Sequence, residues 1–329
     1  MLEILSVIFF AFILDLLIGD PRYRYHPVRI IGHGVALFSK VLRGNGLAGK
    51  GGGIILTLIL MATTLAMYVA LSLAFRRLHP LCGLGFDLFI CYSCLAMRDL
   101  ITHTRPVILA LERKDLTKAR EEISLVVGRD VRYLDAEGVS KAAMETLAEN
   151  FVDGFLSPLF WYMVGGTAAL LLGVSPVLPA LCCMLAFKVA STLDSMVGYK
   201  NQEYVEFGWA GARLDDIMNF IPARISLAIL FLGAWASGLN PMDGLKVALR
   251  DRLKHDSPNA AHAESFTAGV FHLRLGGPTL YPDGQKIKPW LGDGDVAPGP
   301  VQIRKMTSLV NRSAWISVLA AMGILFLAA

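Results

Sequence analysis

The chain has 329 residues, 54% of them hydrophobic and 18% charged, and its mean hydropathy is +0.53. A soluble domain of this length does not carry so apolar a composition, so the reading is an all-α, polytopic integral membrane protein with polar helical and loop insertions. The net charge of +4 is small, so where the charges sit along the chain tells more than their sum.

In chain order, apolar runs occur at Leu2–Ile18, Ile54–Phe75, Leu84–Met97, Phe155–Gly173, Val177–Ala190, Ile217–Leu239 and Ala314–Ala329. Several approach the ~20 residues a helix needs to cross a bilayer, which predicts about five to seven membrane segments. The first run carries Glu3 and Asp15 and has no basic start or small-residue cleavage site, so it reads as a retained segment rather than a signal peptide. Between it and the second run, Asp20–Lys50 holds Arg22, Arg24, Arg29, Lys40, Arg43 and Lys50 against one acid. That bias makes the segment cytoplasmic and starts the N-terminus outside.

Residues 98–153 read as a polar helical insert, with Leu116, Ala119, Ile123, Val126 and Val127 near one helix face. Residues 240–312 read as a polar loop region, irregular over Leu273–Pro300 because of its glycines and prolines. The whole of 1–329 is expected as one membrane domain. Sidedness raises a conflict: a lone crossing by Ile217–Leu239 would separate 240–312 from the other polar segments. Either that run does not cross alone, or the number of spans is off by one.

Two motifs are set aside. Cys91 and Cys94 form C-x-x-C without a second pair, and they read as small hydrophobes. The run "GNGLAGKG", Gly44–Gly51, ends in glycine where a P-loop needs Ser or Thr, and it reads as a flexible link.

Four polar clusters carry candidate chemistry. Glu145, Glu149 and Asp153 are spaced i, i+4, i+8, drifting about 40° per step on a helix, with Asn150 beside them, directly before an apolar run. Stacked acids there suit a divalent cation that holds phosphate oxygens; the plain alternative is a solvated helix end. Next, Asp194, Lys200, Arg213, Asp215, Asp216, Asn219 and Arg224 crowd between two apolar segments, with Arg213, Asp216 and Asn219 at i, i+3, i+6. Mixed acids and guanidiniums suit a nucleotide–magnesium site, against a self-satisfied charged loop. In "GDPRYRYHPVRIIGH", Asp20, Arg22, His26 and Arg29 follow a membrane segment and read as an anion-binding loop or as interfacial side chains. The last cluster, His255–Gly284, offers Asp256, Ser257, Asn259, Glu264, Arg274 and Tyr281, with Gly276 and Gly277 allowing close backbone approach to a ligand.

Four blocks, "DLLIGDPRYRYHPVRIIG", "GRDVRYLDAEGVSKAAMETLAENFVDGFLSPLFWYMVGG", "TLDSMVGYKNQEYVEFGWAGARLDDIMNFIPAR" and "SPNAAHAESFTAGVFHLRLGGPTLY", resemble the adenosylcobinamide-phosphate synthase family of cobalamin biosynthesis, the CbiB/CobD type. The resemblance runs from about Asp15 to Trp290. It implies an ATP- and Mg2+-dependent amide synthetase that joins the corrinoid adenosylcobyric acid to (R)-1-amino-2-propanol or its O-phosphate, in the inner (cytoplasmic) membrane. Glu145, Glu149, Asp153, Asp215 and Asp216 take metal or base roles under it. Arg22, Arg29, Lys200, Arg213 and Arg224 face the anionic groups of ATP and aminopropanol phosphate, with Arg213 opposite the transferred phosphate. Its expected partners are small-molecule substrates, the lipid bilayer, a second copy of the chain and other membrane cobalamin-assembly enzymes, and no nucleic acid. The competing readings are a membrane alcohol phosphotransferase or prenyltransferase and a non-catalytic membrane sensor.

Overall fold

The computed structural model describes residues 1–329 except 21, 22, 200, 282 and 283. Among the described residues almost all regular structure is helical, and six helices are long and apolar enough to cross a membrane: Lys50–Leu78, Pro80–Glu112, Ala136–Leu171, Val177–Val197, Trp209–Ala236 and Pro300–Leu327. The protein is an all-α polytopic membrane protein, and six falls inside the expected number of spans. The chain divides into two compact units.

The first unit comprises Met1–Ala96, Ser157–Asn219 and Val318–Ala329. Its helices are α1 (Leu2–Ile18), α2 (Pro27–Gly44), α3 (Lys50–Leu78), α4 (Pro80–Cys94), α8 (Ser157–Leu171) and α9 (Val177–Val197), plus the start of α10 (Trp209–Ala236) and the end of α13 (Pro300–Leu327). Pro27 opens α2 at a position where its missing N–H costs nothing. Ile31 and Val35 of that helix pack with Leu56, Leu60, Val189 and Leu193 of α3 and α9. Gly165 and Gly166 let α8 lie close to its neighbours: a Cβ on Gly165 would stand 2.6 Å from the Pro179 carbonyl oxygen, and one on Gly166 2.4 Å from Ile4. The fully buried Asp87 of α4 is matched by the Tyr68 hydroxyl at 2.9 Å, Ser72 Oγ at 2.9 Å and the Arg76 guanidinium at 2.5 Å. An acid at membrane depth persists only with such partners.

The second unit comprises Met97–Leu156 and Phe220–Ser317. It holds α5 (Met97–Glu112), α6 (Leu116–Ser124), α7 (Ala136–Phe151), α11 (Pro241–Asp251) and α12 (Ala260–Val270). A π turn follows α7 at Val152–Leu156. Strands β1 (Leu275–Gly276) and β4 (Trp290–Leu291) pair antiparallel with Gly276 opposite Trp290, and β2 (Thr279–Tyr281) pairs with β3 (Gly284–Lys286). Every residue of α12 from Ala261 to Val270 is buried. Asp251, at the end of α11, is fully buried and takes the Arg250 guanidinium, the Lys254 ammonium and the Gly292 N–H. Arg250 chiefly holds this carboxyl well below the usual carboxylate range, against the cost of burial.

Two expectations change here. Residues 240–312, read as polar loop, contain α11, α12, the start of α13 and two short strand pairs, and Ala248, Ala261 and Phe266 are buried apolar residues of α11 and α12. The polar insert 98–153 begins inside a helix, since α4 and α5 together form the candidate span Pro80–Glu112.

One hydrogen bond within the second unit bears on the sidedness conflict. The Asp130 N–H donates to the Leu280 carbonyl at 2.9 Å, so the loop before α7 and the strands after α12 lie on one side of the membrane. Three candidate spans separate them, Ala136–Leu171, Val177–Val197 and Trp209–Ala236. An odd number of crossings would put the two segments on opposite sides, so the pairing requires an even number of crossings between them. The exposed side chains of Tyr133 and Ile287, changed one at a time to cysteine in a chain lacking its five native cysteines, are therefore expected to react with an impermeant maleimide from the same side. Labelling from opposite sides would contradict this pairing.

Candidate active site

Glu145 on α7 anchors the site. Its Oε2 lies 2.5 Å from the Arg129 guanidinium, and its Oε1 accepts the Gly276 N–H at 2.6 Å. Both side chains of this ion pair are at least nine-tenths buried. Burial works against the charge on Arg129, and Glu145 outweighs it by charge and hydrogen bond, holding the guanidinium above its ordinary value.

The turn that Glu145 grips requires glycine. Gly276 and Gly277 have φ of +73° and +74°, and a Cβ on Gly277 would sit 2.4 Å from the Trp290 ring. The Gly276 carbonyl in turn accepts from Lys141 Nζ at 2.8 Å. Lys141 and Arg274 each lie over the Trp290 ring, 4.8 and 4.6 Å from its centroid. Lys141, Arg274 and Trp290 line a cleft of about 620 Å³ with Asp135, Glu137 and Asp295.

Behind the ion pair stands Glu264 of α12, 6% exposed. Burial, then the charges of Glu145 and Glu149, push its carboxyl well above the usual carboxylate range. Glu145 is thus clamped by a guanidinium, while the nearby Glu264 is pushed toward its protonated form. Lys288, half-buried, is a further cation here; burial lowers its affinity for a proton, but Tyr281, Glu264 and Glu145 raise it on balance.

The sequence-predicted residues distribute as follows. In the second unit, Glu149 is exposed one turn beyond Glu145, Asn150 is half-buried, and Asp153 lies in the π turn. That turn changes the helical repeat just where the acidic stripe needed it. Among the described residues, no three acidic, histidine or cysteine side chains stand together as a metal-holding group. Tyr281 lies under Lys286 and Lys288, with ring-centroid distances of 4.8 and 5.5 Å. Ser257 Oγ accepts the Asn259 N–H at 3.3 Å, and Arg224 donates to the Phe220 carbonyl at 2.6 Å.

In the first unit, Asn219 is buried, with Ser157 Oγ donating to its Oδ1 at 2.5 Å and its Nδ2 donating to Asp215 at 3.1 Å. Arg213 is exposed and faces Asp216 at 3.6 Å. Asp20 pairs with His26 at 2.8 Å, Arg29 is exposed on α2, and Asp194 is half-buried near the end of α9. Arg22 and Lys200 lie outside the described residues.

Comparison with known proteins decides the family. The model of the CobD/Cbib protein family matches residues 8–310. The cobalamin biosynthesis protein CobD of Pelobacter propionicus is 39% identical over 88% of this chain and 85% of its own length. The cobalamin biosynthesis protein CbiB of Salmonella typhimurium is 34% identical over 97% of this chain and 95% of its own. The chain belongs to the CobD/Cbib family. No solved structure matches it.

Sequence reasoning on this CobD/Cbib protein missed Arg129, Lys141, Lys288 and Trp290. Arg129 reaches Glu145 across sixteen positions, through a loop whose path no periodicity reveals. The missed signal was local: three acids without interleaved lysines imply a cation from elsewhere.

The neutral Glu264 has a consequence for stability. An acid whose folded pKa is raised holds its proton in the folded state, so folding loses free energy as pH rises above the unfolded value near 4.5. Glu264→Gln is therefore expected to unfold at a higher temperature than the parent at about pH 8, with the difference shrinking toward about pH 4. Equal midpoints at both values, measured by thermal melts in detergent, would contradict a neutral Glu264.

Proposed function

We propose that this CobD/Cbib-family protein is the amide synthetase that joins adenosylcobyric acid to (R)-1-amino-2-propanol or its O-phosphate, using ATP and magnesium, in the cytoplasmic membrane where ATP is available. Family membership over residues 8–310 supports the cobalamin role. The observation that carries the chemistry is Glu145, clamped by Arg129, with the buried Glu264 near it, beneath a side-chain-free turn at the edge of a cleft where Lys141 and Arg274 stand among acids.

A corrinoid carboxylate is a poor electrophile, and activation by ATP as an acyl phosphate makes it reactive toward the amine. Lys141 and Arg274 border the cleft and supply positive charge among its acids Asp135, Glu137, Asp293 and Asp295. Arg129 and Glu145 hold the Gly276 turn, so its backbone approaches the ligand without a side chain between. The incoming ammonium must lose a proton before it attacks, and the exposed Glu149 is the carboxylate we assign to take it or to pass it on.

Magnesium keeps few protein ligands and takes the rest from phosphate and water, so a site without three gathered acids still fits it. Asp153 is the hard oxygen donor that would hold it, with Glu149 kept for the proton, and bound there it would neutralise charge on the phosphates.

The test is direct binding. Purified protein in nanodiscs, incubated with adenosylcobyric acid and passed over a sizing column, is expected to carry the corrinoid's colour with it. Colourless protein would overturn the reading.

A further inference from the structure

The central helix α12 carries a second buried polar group that the acid pair does not use. His262, in its first turn, is fully buried. Its Nδ1 lies 3.2 Å from the Asn259 carbonyl oxygen. A carbonyl only accepts, so Nδ1 holds the proton and the neutral ring directs a lone pair from Nε2. That Nε2 is buried and has no hydrogen-bond partner.

Two guanidiniums act on this ring. Arg252, immediately after α11, has its Nε buried without a partner. Arg224 of α10 stacks 3.3 Å from the Phe220 ring centroid and spends one N–H on the Phe220 carbonyl. Burial, and then the charges of these arginines, hold His262 down to about 4. The α7 acids Glu145 and Glu149 act on Glu264, and among the described residues neither arginine has an ion-pair partner. Two neighbouring cations, an unsatisfied buried donor and an unsatisfied ring nitrogen at a helix N-terminus make an arrangement that an anion would complete.

We propose that Arg224, Arg252 and His262 form a phosphoryl-binding subsite at the N-terminus of α12, which receives a terminal phosphate dianion. A carboxylate brings one charge and two oxygens, and would leave one of the three groups unanswered. A phosphoryl group brings about two charges and three oxygens. As it seats, Nε2 takes up a proton, from the ligand's monoanion or from water, and becomes a donor to it.

The subsite rests on the amide-synthetase reading only for the source of the phosphate, which is either the nucleotide or the O-phosphorylated amine. Inorganic phosphate is therefore the first probe, added to full-length protein in zwitterionic nanodiscs with 15N-labelled histidine. Saturable binding is expected, with the His262 Nε2 resonance moving from the unprotonated to the protonated region. Arg252→Gln should weaken binding by about 10-fold or more, while Glu121→Gln, a surface change on α6, leaves it unchanged. An unmoved His262 resonance, or unaltered binding by both Arg252→Gln and His262→Gln, overturns the subsite; Arg252→Gln alone decides if His262→Gln does not fold.

Kinetics of Arg252→Lys then identify the source. A KM raised for the phosphorylated amine alone assigns its phosphate, and one raised for ATP alone assigns the nucleotide. Both unchanged would overturn the subsite even in an active enzyme. Phosphate binding in a protein that forms no amide would instead sink the synthetase reading and leave the subsite standing.

Discussion

Glu149→Gln is expected to stop amide formation, lowering turnover by on the order of 10²-fold or more, as loss of a charged group that acts on the reacting centre does. Glu149 stands exposed one turn beyond Glu145 on α7, and its charge reaches the neutral Glu264. It is thus the acid of the stripe that a substrate or a metal can meet, whereas Glu145 is already committed to Arg129 and Gly276. Glutamine keeps the shape and the helix but removes the charge. Asp153→Asn should act in the same direction. The control is Glu121→Gln, whose carboxylate on α6 pairs only with Lys118 at the surface, and which should be silent. Near-normal turnover of Glu149→Gln at limiting magnesium, in nanodisc kinetics, would remove this residue from the chemistry.

Arg129→Met should cost the second unit about 3–5 kcal/mol, because it strands the buried Glu145 carboxylate without its cation. For a protein whose whole stability is of order 5–15 kcal/mol, that is a severe loss. Removing both charges together, as Arg129→Met with Glu145→Leu, should recover part of it, since no buried charge is then stranded and only the Gly276 N–H loses its acceptor. Chemical unfolding of the single and double variants in detergent measures this. A double variant no more stable than Arg129→Met would mean that Glu145 stabilises through the Gly276 turn and not through the ion pair.

The membrane character was legible because burial in lipid requires long apolar runs, and each run longer than a helix-crossing length became a candidate span. Amphipathic detail was also legible where it was local: Ala119 and Ile123 form the buried face of α6 as their spacing predicts. The acidic stripe was legible as composition and not as geometry. Glu145, Glu149 and Asp153 share one helical repeat in the sequence, yet the π turn at Val152–Leu156 breaks that repeat, and Glu145 turns inward to a partner from a distant loop. Glu264 was visible as one polar residue among several in a stretch taken for loop. Only burial within α12 gives it, and His262 two residues before it, their altered chemistry. Such effects arise from packing between segments far apart in the chain, and no window of residues contains them.

The measurement that bears most directly on the account is a single-turnover reaction. Full-length protein in nanodiscs is mixed with adenosylcobyric acid, ATP, magnesium and either (R)-1-amino-2-propanol or its O-phosphate, and the corrinoid and nucleotide products are separated and weighed by mass spectrometry. The account predicts one new amide on the corrinoid for each ATP consumed, with ADP and phosphate released, and no such product from Glu149→Gln. Amide formed without ATP consumption, or ATP hydrolysed with the corrinoid carboxylate untouched by either amine, would contradict it.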